Sequence, residues 1–287
     1  MQNNIEKKIV LVTGASTGIG KACALRLDAL GFQVFAGVRK PADGEALKTQ
    51  ASERLAYLIL DVTDSQSIQA AATRVAEAAG EAGMAGLVNN AGIVVAGPLE
   101  FIPLADLRTQ FEVNVFGQVA VTQAFLPLLR QNRGRIVNIG SISGRIAGPY
   151  SGAYSASKFA LRSLNDSLRL ELRPWQIGVF LVEPGPIATP IWDKSLHEAQ
   201  QKMAHAPEAL LRLYGAPLAS FQEFAMHAGN TAIPPDAVVV AVVHALTAKR
   251  PKTHYLVGAE TKIRSLLAFL PVRLCDWLIA KALKIDA

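Results

Sequence analysis

At 287 residues, 51% of them apolar, the chain has the length and core material for one large α/β domain. Its formal charge of +6 comes from basic residues scattered in nothing longer than pairs such as Lys7-Lys8 and Arg39-Lys40, which excludes a nucleic-acid binder and leaves a mild preference for anionic ligands. Two distant cysteines, Cys23 and Cys275, and five histidines without H-x-x-x-H spacing exclude a protein-bound metal and suit a reducing, cytoplasmic setting. The polar start MQNNIEKK is not expected to be a secretory signal, and no apolar run is long enough to span a bilayer.

Lys8 to Thr13 (KIVLVT) is β-branched and apolar and reads as a buried parallel strand. A glycine loop follows, Gly14-Ala15-Ser16-Thr17-Gly18-Ile19-Gly20, and then a helix over Lys21 to Leu30 closed by Gly31. Strand, glycine turn and helix let backbone amides approach a pyrophosphate at the positive end of the helix. The second strand, Gln33 to Val38, ends without the acid that would bind the ribose hydroxyls of NAD. Arg39 and Lys40 stand there instead and suit a 2′-phosphate, so NADP(H) is expected over NAD(H).

Leu55 to Leu60 is the third strand, with Asp61-Val62 at its carboxyl end, where ligands bind in such sheets. Thr63, Asp64 and Ser65 offer N-caps to a helix over Ser65 to Ala79. Met84 to Val88 leads to Asn89-Asn90-Ala91-Gly92, suited to bonding neighbouring strands or a cofactor. A helix from about Pro103 carries Asn114, a poor helix former that would kink it or hold a water. Gly134 to Ile139 delivers Ser141. Tyr154 and Lys158, four residues apart, share one face of the next helix, where an ammonium beside a phenol lowers the tyrosine pKa. Tyr154 then reads as a proton donor and acceptor, with Ser141 holding a substrate oxygen. Ile177 to Val182 is the sixth strand and runs into the stiff turn Glu183 to Thr189 (EPGPIAT). Strands and helices in this alternation give a single-domain, doubly wound, Rossmann-like α/β parallel sheet of about seven strands.

TGASTGIG, Asp61-Val62, NNAG, Asn114, Ser141, YSASK and PGPIAT occur in one order and spacing that resembles the short-chain dehydrogenase/reductase family, over about Lys8 to Thr189. The resemblance implies Tyr154 as general acid/base, Lys158 lowering its pKa and binding the nicotinamide ribose, Ser141 orienting the substrate oxygen and Asn114 relaying protons through water. It places Thr13, Gly14, Ser16, Thr17, Gly18, Ile19 and Gly20 around the cofactor phosphates and ribose. Asp61-Val62 would meet adenine, Asn90-Ala91-Gly92 the adjoining ribose, and Pro184, Gly185, Ile187 and Thr189 the nicotinamide. Position 17 is threonine, not the basic residue of many NADP-preferring members, so Arg39 and Lys40 carry the cofactor expectation.

Residues 190 to 230 hold an apolar set at helical intervals (Ile191, Trp192, Leu196, Met203, Leu210, Leu211, Leu213, Tyr214, Leu218, Phe221, Phe224 and Met226), read as a lid over a lipophilic substrate against plain packing or a subunit contact. After a helix over Asp236 to Ala248 and an edge strand over Thr253 to Gly258, a basic amphipathic tail runs to the end, broken by Pro271. Three roles fit it: a membrane interface, a partner subunit of a homodimer or tetramer, or closure of the pocket. Tails of this kind resemble those near the steroid and retinol dehydrogenases, which implies a lipophilic alcohol or ketone substrate. A 3-oxoacyl thioester reductase and a nucleotide sensor without turnover are the alternatives.

Overall fold

The structure, a computed structural model, describes residues 8–190 and 208–283. Its elements run β1 (Ile9–Val12), α1 (Gly18–Ala29), β2 (Gln33–Val38), α2 (Pro41–Lys48), β3 (Leu55–Ile59), α3 (Ser65–Ala79), β4 (Gly86–Asn89), α4 (Leu104–Phe111), α5 (Gly117–Asn132), β5 (Arg135–Ile139), α6 (Gly152–Glu171), β6 (Gly178–Pro184), α7 (Glu208–Asn230), α8 (Asp236–Thr247), β7 (His254–Val257), α9 (Ala259–Ser265) and α10 (Val272–Leu283). The strands form one seven-stranded sheet in the order β3-β2-β1-β4-β5-β6-β7, parallel at every pairing. All seven expected strands are present.

The pleat explains the continuous apolar runs. In β1, Val10 and Val12 enter one core layer, with α1 and α8, while Ile9 and Leu11 enter the other, with α3 and α5. A strand covered on both faces has no polar face to show. Each fully buried Leu or Phe, such as Leu11, Leu27 or Phe125, is worth about 1.5–3 kcal/mol. Helix ends follow the sequence signals. Gly31, at φ 89°, closes α1 with its N–H on Asp28 O while Phe32 N bonds Leu27 O. Asp64 caps α3 by accepting from Gln66 N at 2.9 Å.

Helix α2 has no counterpart in the sequence pattern. Its one glycine, Gly44, lies under the Tyr57 ring, where any Cβ would collide. Helix α1 starts at Gly18, a turn earlier than the apolar periodicity suggests. The tail is interrupted at Pro271 as expected, as α9, a 3-10 turn at Leu266–Phe269, and α10. Of the tail, Lys284 and Ile285 lie outside the described residues, as do Ile191, Trp192, Leu196 and Met203 of the lid set.

Strand order reverses between β1 and β4, since the chain proceeds outward to β3 and then returns to the other side of β1. Such a reversal leaves a crevice at the carboxyl ends of the strands, and that is where this fold binds ligands. The glycine loop after β1 and Asn90-Ala91-Gly92 after β4 both border it.

Candidate active site

Two glycines in the loop hold φ values that side chains rarely adopt, +63° at Gly14 and +55° at Gly18. A Cβ on Gly14 would lie 2.9 Å from Ala91 Cα, and one on Gly18 would lie 3.0 Å from Thr189 Cγ2. A Cβ on Gly20 would strike Gly14 O and Asn90 Nδ2. Thr13 ties the loop to β4, its Oγ1 accepting from Asn90 N at 2.9 Å and Ala91 N at 3.0 Å. Asn90 Nδ2 donates to Thr13 O at 2.9 Å and Gly14 O at 3.0 Å. Asn90 therefore shapes the cradle from behind. Thr17 occupies the N-cap of α1 but makes no side-chain cap hydrogen bond, so its hydroxyl leaves the first-turn amides of the helix uncovered.

The rim has two further parts. Val38 is buried at the end of β2, and Arg39 and Lys40 beyond it are exposed. Asp61 accepts from Thr63 N at 2.9 Å and Thr63 Oγ1 at 2.7 Å. Burial pulls its carboxyl up, but these bonds and the Arg39 charge outweigh that and hold it below the ordinary value. Val62 is buried against the start of α5, its carbonyl within 2.7 Å of where a Gly117 Cβ would stand. On the far side, Gly185 N donates to Val257 O at 3.2 Å and Ile187 bridges to Ile233, which fixes the turn after β6 beside the sheet edge.

Ser141, Tyr154 and Lys158 converge. Ser141 is buried, its Oγ accepts from Ser143 N at 3.1 Å, and its hydroxyl hydrogen-bonds the Tyr154 phenol. Lys158 Nζ donates to Ile139 O at 2.8 Å and lies 5.7 Å from the Tyr154 ring centroid. Charge behaviour differs from the expectation. Burial raises the Tyr154 phenol above its ordinary value, and the Ser141 hydrogen bond lowers it only in part. Burial also pushes the Lys158 ammonium down to about 8. Residue spacing carries no information about dehydration, which acts on both groups and dominates. The expected depression of Tyr154 is thus corrected: Tyr154 is held as a neutral phenol.

Asn114 lies in a π-helical turn, Glu112–Phe116, between α4 and α5. The widened turn aims its amide sideways: Oδ1 accepts from Ile93 N at 2.9 Å, and Nδ2 donates to Ile93 O at 3.0 Å and Ser157 Oγ at 3.1 Å. Gln110, which the sequence pattern did not single out, is fully buried and makes a parallel set, to Val95 N at 2.6 Å and Ile93 O at 2.9 Å. Helical spacing from Asn114 was the one signal that could have found it. Both amides brace the loop after Gly92 against α6, one residue before Lys158.

Tyr150 was also missed. Its φ of 61° is left-handed, a strain of about 1–3 kcal/mol for a bulky residue. Its carbonyl accepts from Gly97 N at 2.7 Å. Its ring meets Phe221 at 5.4 Å and Tyr214 at 6.4 Å, and Tyr214 meets Phe101 at 5.8 Å while donating to Glu100 Oε2 at 2.7 Å. These edge-to-face contacts seat α7 over the loops that precede Tyr154.

A family model described as short chain dehydrogenase matches residues 8–200. The chain is 40% identical to retinol dehydrogenase 5 of Mus musculus over 274 residues, covering 93% of this chain and 86% of that protein. It is 35% identical to 17-beta-hydroxysteroid dehydrogenase type 6 of Bos taurus, covering 98% and 90%. Its fold matches a short chain dehydrogenase from Burkholderia cenocepacia J2315 in complex with NADP, with a TM-score of 0.72, 27% identity and coverage of 96% and 98%. The seven-stranded parallel sheet, the glycine cradle and these relatives together make the chain a member of the short-chain dehydrogenase/reductase family, an oxidoreductase of CH–OH and C=O groups.

Proposed function

We propose that this enzyme transfers hydride between NADP(H) and a hydroxyl or keto group of a lipophilic, steroid- or retinoid-like compound. The observation that carries the reading is the meeting of buried Ser141 and Lys158 with the partly exposed Tyr154 in one cluster at the carboxyl end of the sheet. The glycine loop fits a dinucleotide, because its glycines let the turn pack closely on Asn90, Ala91 and Thr189, and the uncapped N-terminus of α1 that follows favours phosphate. A bound nicotinamide would supply or take the hydride. Ser141 holds the substrate oxygen by its hydroxyl. Tyr154, kept protonated by burial, gives its proton to that oxygen as a carbonyl is reduced, and takes it back in the reverse direction. Lys158 favours negative charge as it develops on Tyr154, and Asn114 fixes the helix turn that carries both.

Val38 has no acceptor for ribose hydroxyls, and Arg39 stands exposed beside Asp61 where a 2′-phosphate would need a cation. Arg39→Ala is expected to weaken NADPH binding about 10–100-fold, the worth of one charge-assisted contact, and to leave NADH unchanged. Titration of both nucleotides against the purified variant checks this; equal losses for both would reject the NADP reading.

The lipophilic substrate class is supported by the aromatic rim of Phe101, Tyr150, Tyr214 and Phe221 and by what the named relatives act on. Residues 8–189 then form the cofactor and catalytic core of a single domain, with α7 as the lid. The tail is proposed to lie on a membrane surface. Ile263, Leu266, Phe269, Val272 and Trp277 are all exposed, and Lys281 Nζ sits 5.0 Å over the Trp277 ring. Among the described residues no helix is long and apolar enough to cross a bilayer. Phe269→Ala with Trp277→Ala should reduce sedimentation with phosphatidylcholine–phosphatidylserine vesicles at least about tenfold. Unchanged sedimentation would remove the tail from that role.

The function itself is tested by NADPH oxidation against steroid ketones, retinals and 3-oxoacyl thioesters. Selective turnover of thioesters would favour the reductase of lipid synthesis instead.

A further inference from the structure

Glu183 has no solvent exposure at the end of β6, one residue before the Pro184-Gly185 turn. A carboxylate buried so completely needs full pairing. Arg145 supplies a two-pronged clamp, Nε to Oε1 at 2.8 Å and Nη2 to Oε2 at 2.6 Å. Arg145 follows directly on the short turn Ile142–Gly144 that leaves Ser141. That turn packs on Lys158, since a Cβ on Gly144 would come within 2.8 Å of Lys158 O. The clamp therefore joins the loop of Ser141 to the turn of Gly185.

A second carboxylate and a histidine complete the cluster. His254, on β7, has Nδ1 3.1 Å from Glu183 Oε2 and Nε2 2.9 Å from Asp166 Oδ1. Both ring nitrogens face carboxylate oxygens, and only the imidazolium donates to both; a neutral ring protonated at Nε2 would keep the Asp166 bond, accept from Arg145 Nη2 at Nδ1 and lose the bond to Glu183. The cations around it are Arg145, whose Nη2 is 3.3 Å from His254 Nδ1, Arg162, 4.0 Å from Glu183 Oε1, and Arg169, 3.2 Å from Asp166 Oδ1. Two carboxylates thus hold four cationic groups drawn from α6, β7 and the loop after β5. Asn165 Nδ2 reaches Asp166 Oδ1 at 3.4 Å, and through Asn138 and Asn89 the polar chain extends across the sheet to β4.

We propose that His254 is a positioning residue: its imidazolium binds β7 and α6 to Glu183, and through Arg145 it fixes the Ser141 loop against the Pro184-Gly185 turn. The site is then set in place by a proton on a residue that touches neither substrate nor cofactor. The charge balance agrees. The Glu183 hydrogen bond raises the His254 pKa, burial opposes it, and Asp166 raises it further, for a net value above the ordinary 6.5. Burial alone would raise Glu183 and Asp166, but their bonds to His254 and the arginines leave both lowered. A histidine with a raised folded pKa stabilises fully below 6.5, and its contribution is lost as pH rises through the raised value.

The test uses the full chain and needs no substrate. NMR titration of the His254 ring is paired with hydrogen exchange of residues 141–146 and 184–189, corrected for intrinsic rates, from about pH 6 to about pH 9. The proposal expects a His254 midpoint above 6.5 and a joint loss of protection in both segments that begins near pH 6.5 and levels off above that midpoint, about tenfold for each pH unit by which the midpoint exceeds 6.5. His254→Gln should show weak protection at every pH, and His254→Lys, charged throughout, should restore it. If His254→Gln does not fold, Asp166→Asn should move the transition to lower pH. Protection that ignores the His254 titration, or a midpoint at or below 6.5, overturns the proposal. The kinetic consequence, a fall in kcat with the same midpoint, rests on the proposed function. Exchange that behaves as expected without turnover on any carbonyl would defeat that function and leave the anchor standing.

Discussion

Tyr154→Phe is expected to fold normally, bind NADPH with unchanged affinity and lose about 10²–10⁴-fold in kcat. The substitution removes one oxygen. The ring stays, so the packing of α6 against the turn after Ser141 is untouched. What goes is the phenol hydroxyl hydrogen-bonded to Ser141, and with it the proton for the substrate oxygen. Because burial keeps the wild-type group protonated, the loss should be largest for carbonyl reduction at neutral pH. Initial rates and equilibrium binding on the same preparation separate chemistry from nucleotide binding. A variant that retained a tenth or more of wild-type kcat would remove Tyr154 from the proton-transfer step.

Gly20→Ala is expected to do more damage to binding than to chemistry. Its Cβ would meet the Gly14 carbonyl and the Asn90 amide, both rigidly placed, so the loop has to open. Overpacking of this kind costs about 1–3 kcal/mol and should lower Tm by roughly 3–10 °C. Since Asn90 Nδ2 holds Thr13 O and Gly14 O, opening the loop also releases the cradle, and NADPH affinity should fall at least about tenfold. Gly31→Ala, where nothing lies within 4 Å of the added Cβ but φ is 89°, is a control for strain without crowding. It should lower Tm and leave nucleotide affinity alone.

The features behind these effects differ in how plainly the chain shows them. The inner strands were legible because a strand buried on both faces shows as an apolar, β-branched run, the half-exposed edge strands β3 and β7 by their short apolar stretches, and the glycine loop because backbone curvature of that kind admits few other residues. Helix α2 was not, since it is short, Gly44 interrupts its pattern and its packing against Tyr57 is a tertiary fact; Pro41 at its first position is a start signal that was missed. Asn114 stood out as a poor helix former, but the π-helical turn that accommodates it follows from contacts with Ile93 and Ser157. The spacing of Tyr154 and Lys158 gave their proximity and gave the wrong sign for the tyrosine, because dehydration depends on everything packed around the pair. Arg145, Glu183, Asp166 and His254 come from four separate elements and show no motif at all. A cluster assembled purely by topology has no local pattern to read.

Deuterium transfer tests the site most directly. The enzyme is given NADPH with both hydrogens of its reactive ring carbon replaced by deuterium, together with a lipophilic ketone it reduces, and the alcohol is analysed by mass spectrometry. Product carrying one deuterium at the carbinol carbon, formed at least about a hundredfold more slowly by Tyr154→Phe, is the outcome required by a cradle that sets the dinucleotide beside Ser141, Tyr154 and Lys158. Alcohol without the label, or label transferred equally well by Tyr154→Phe, would mean that the chemistry happens elsewhere.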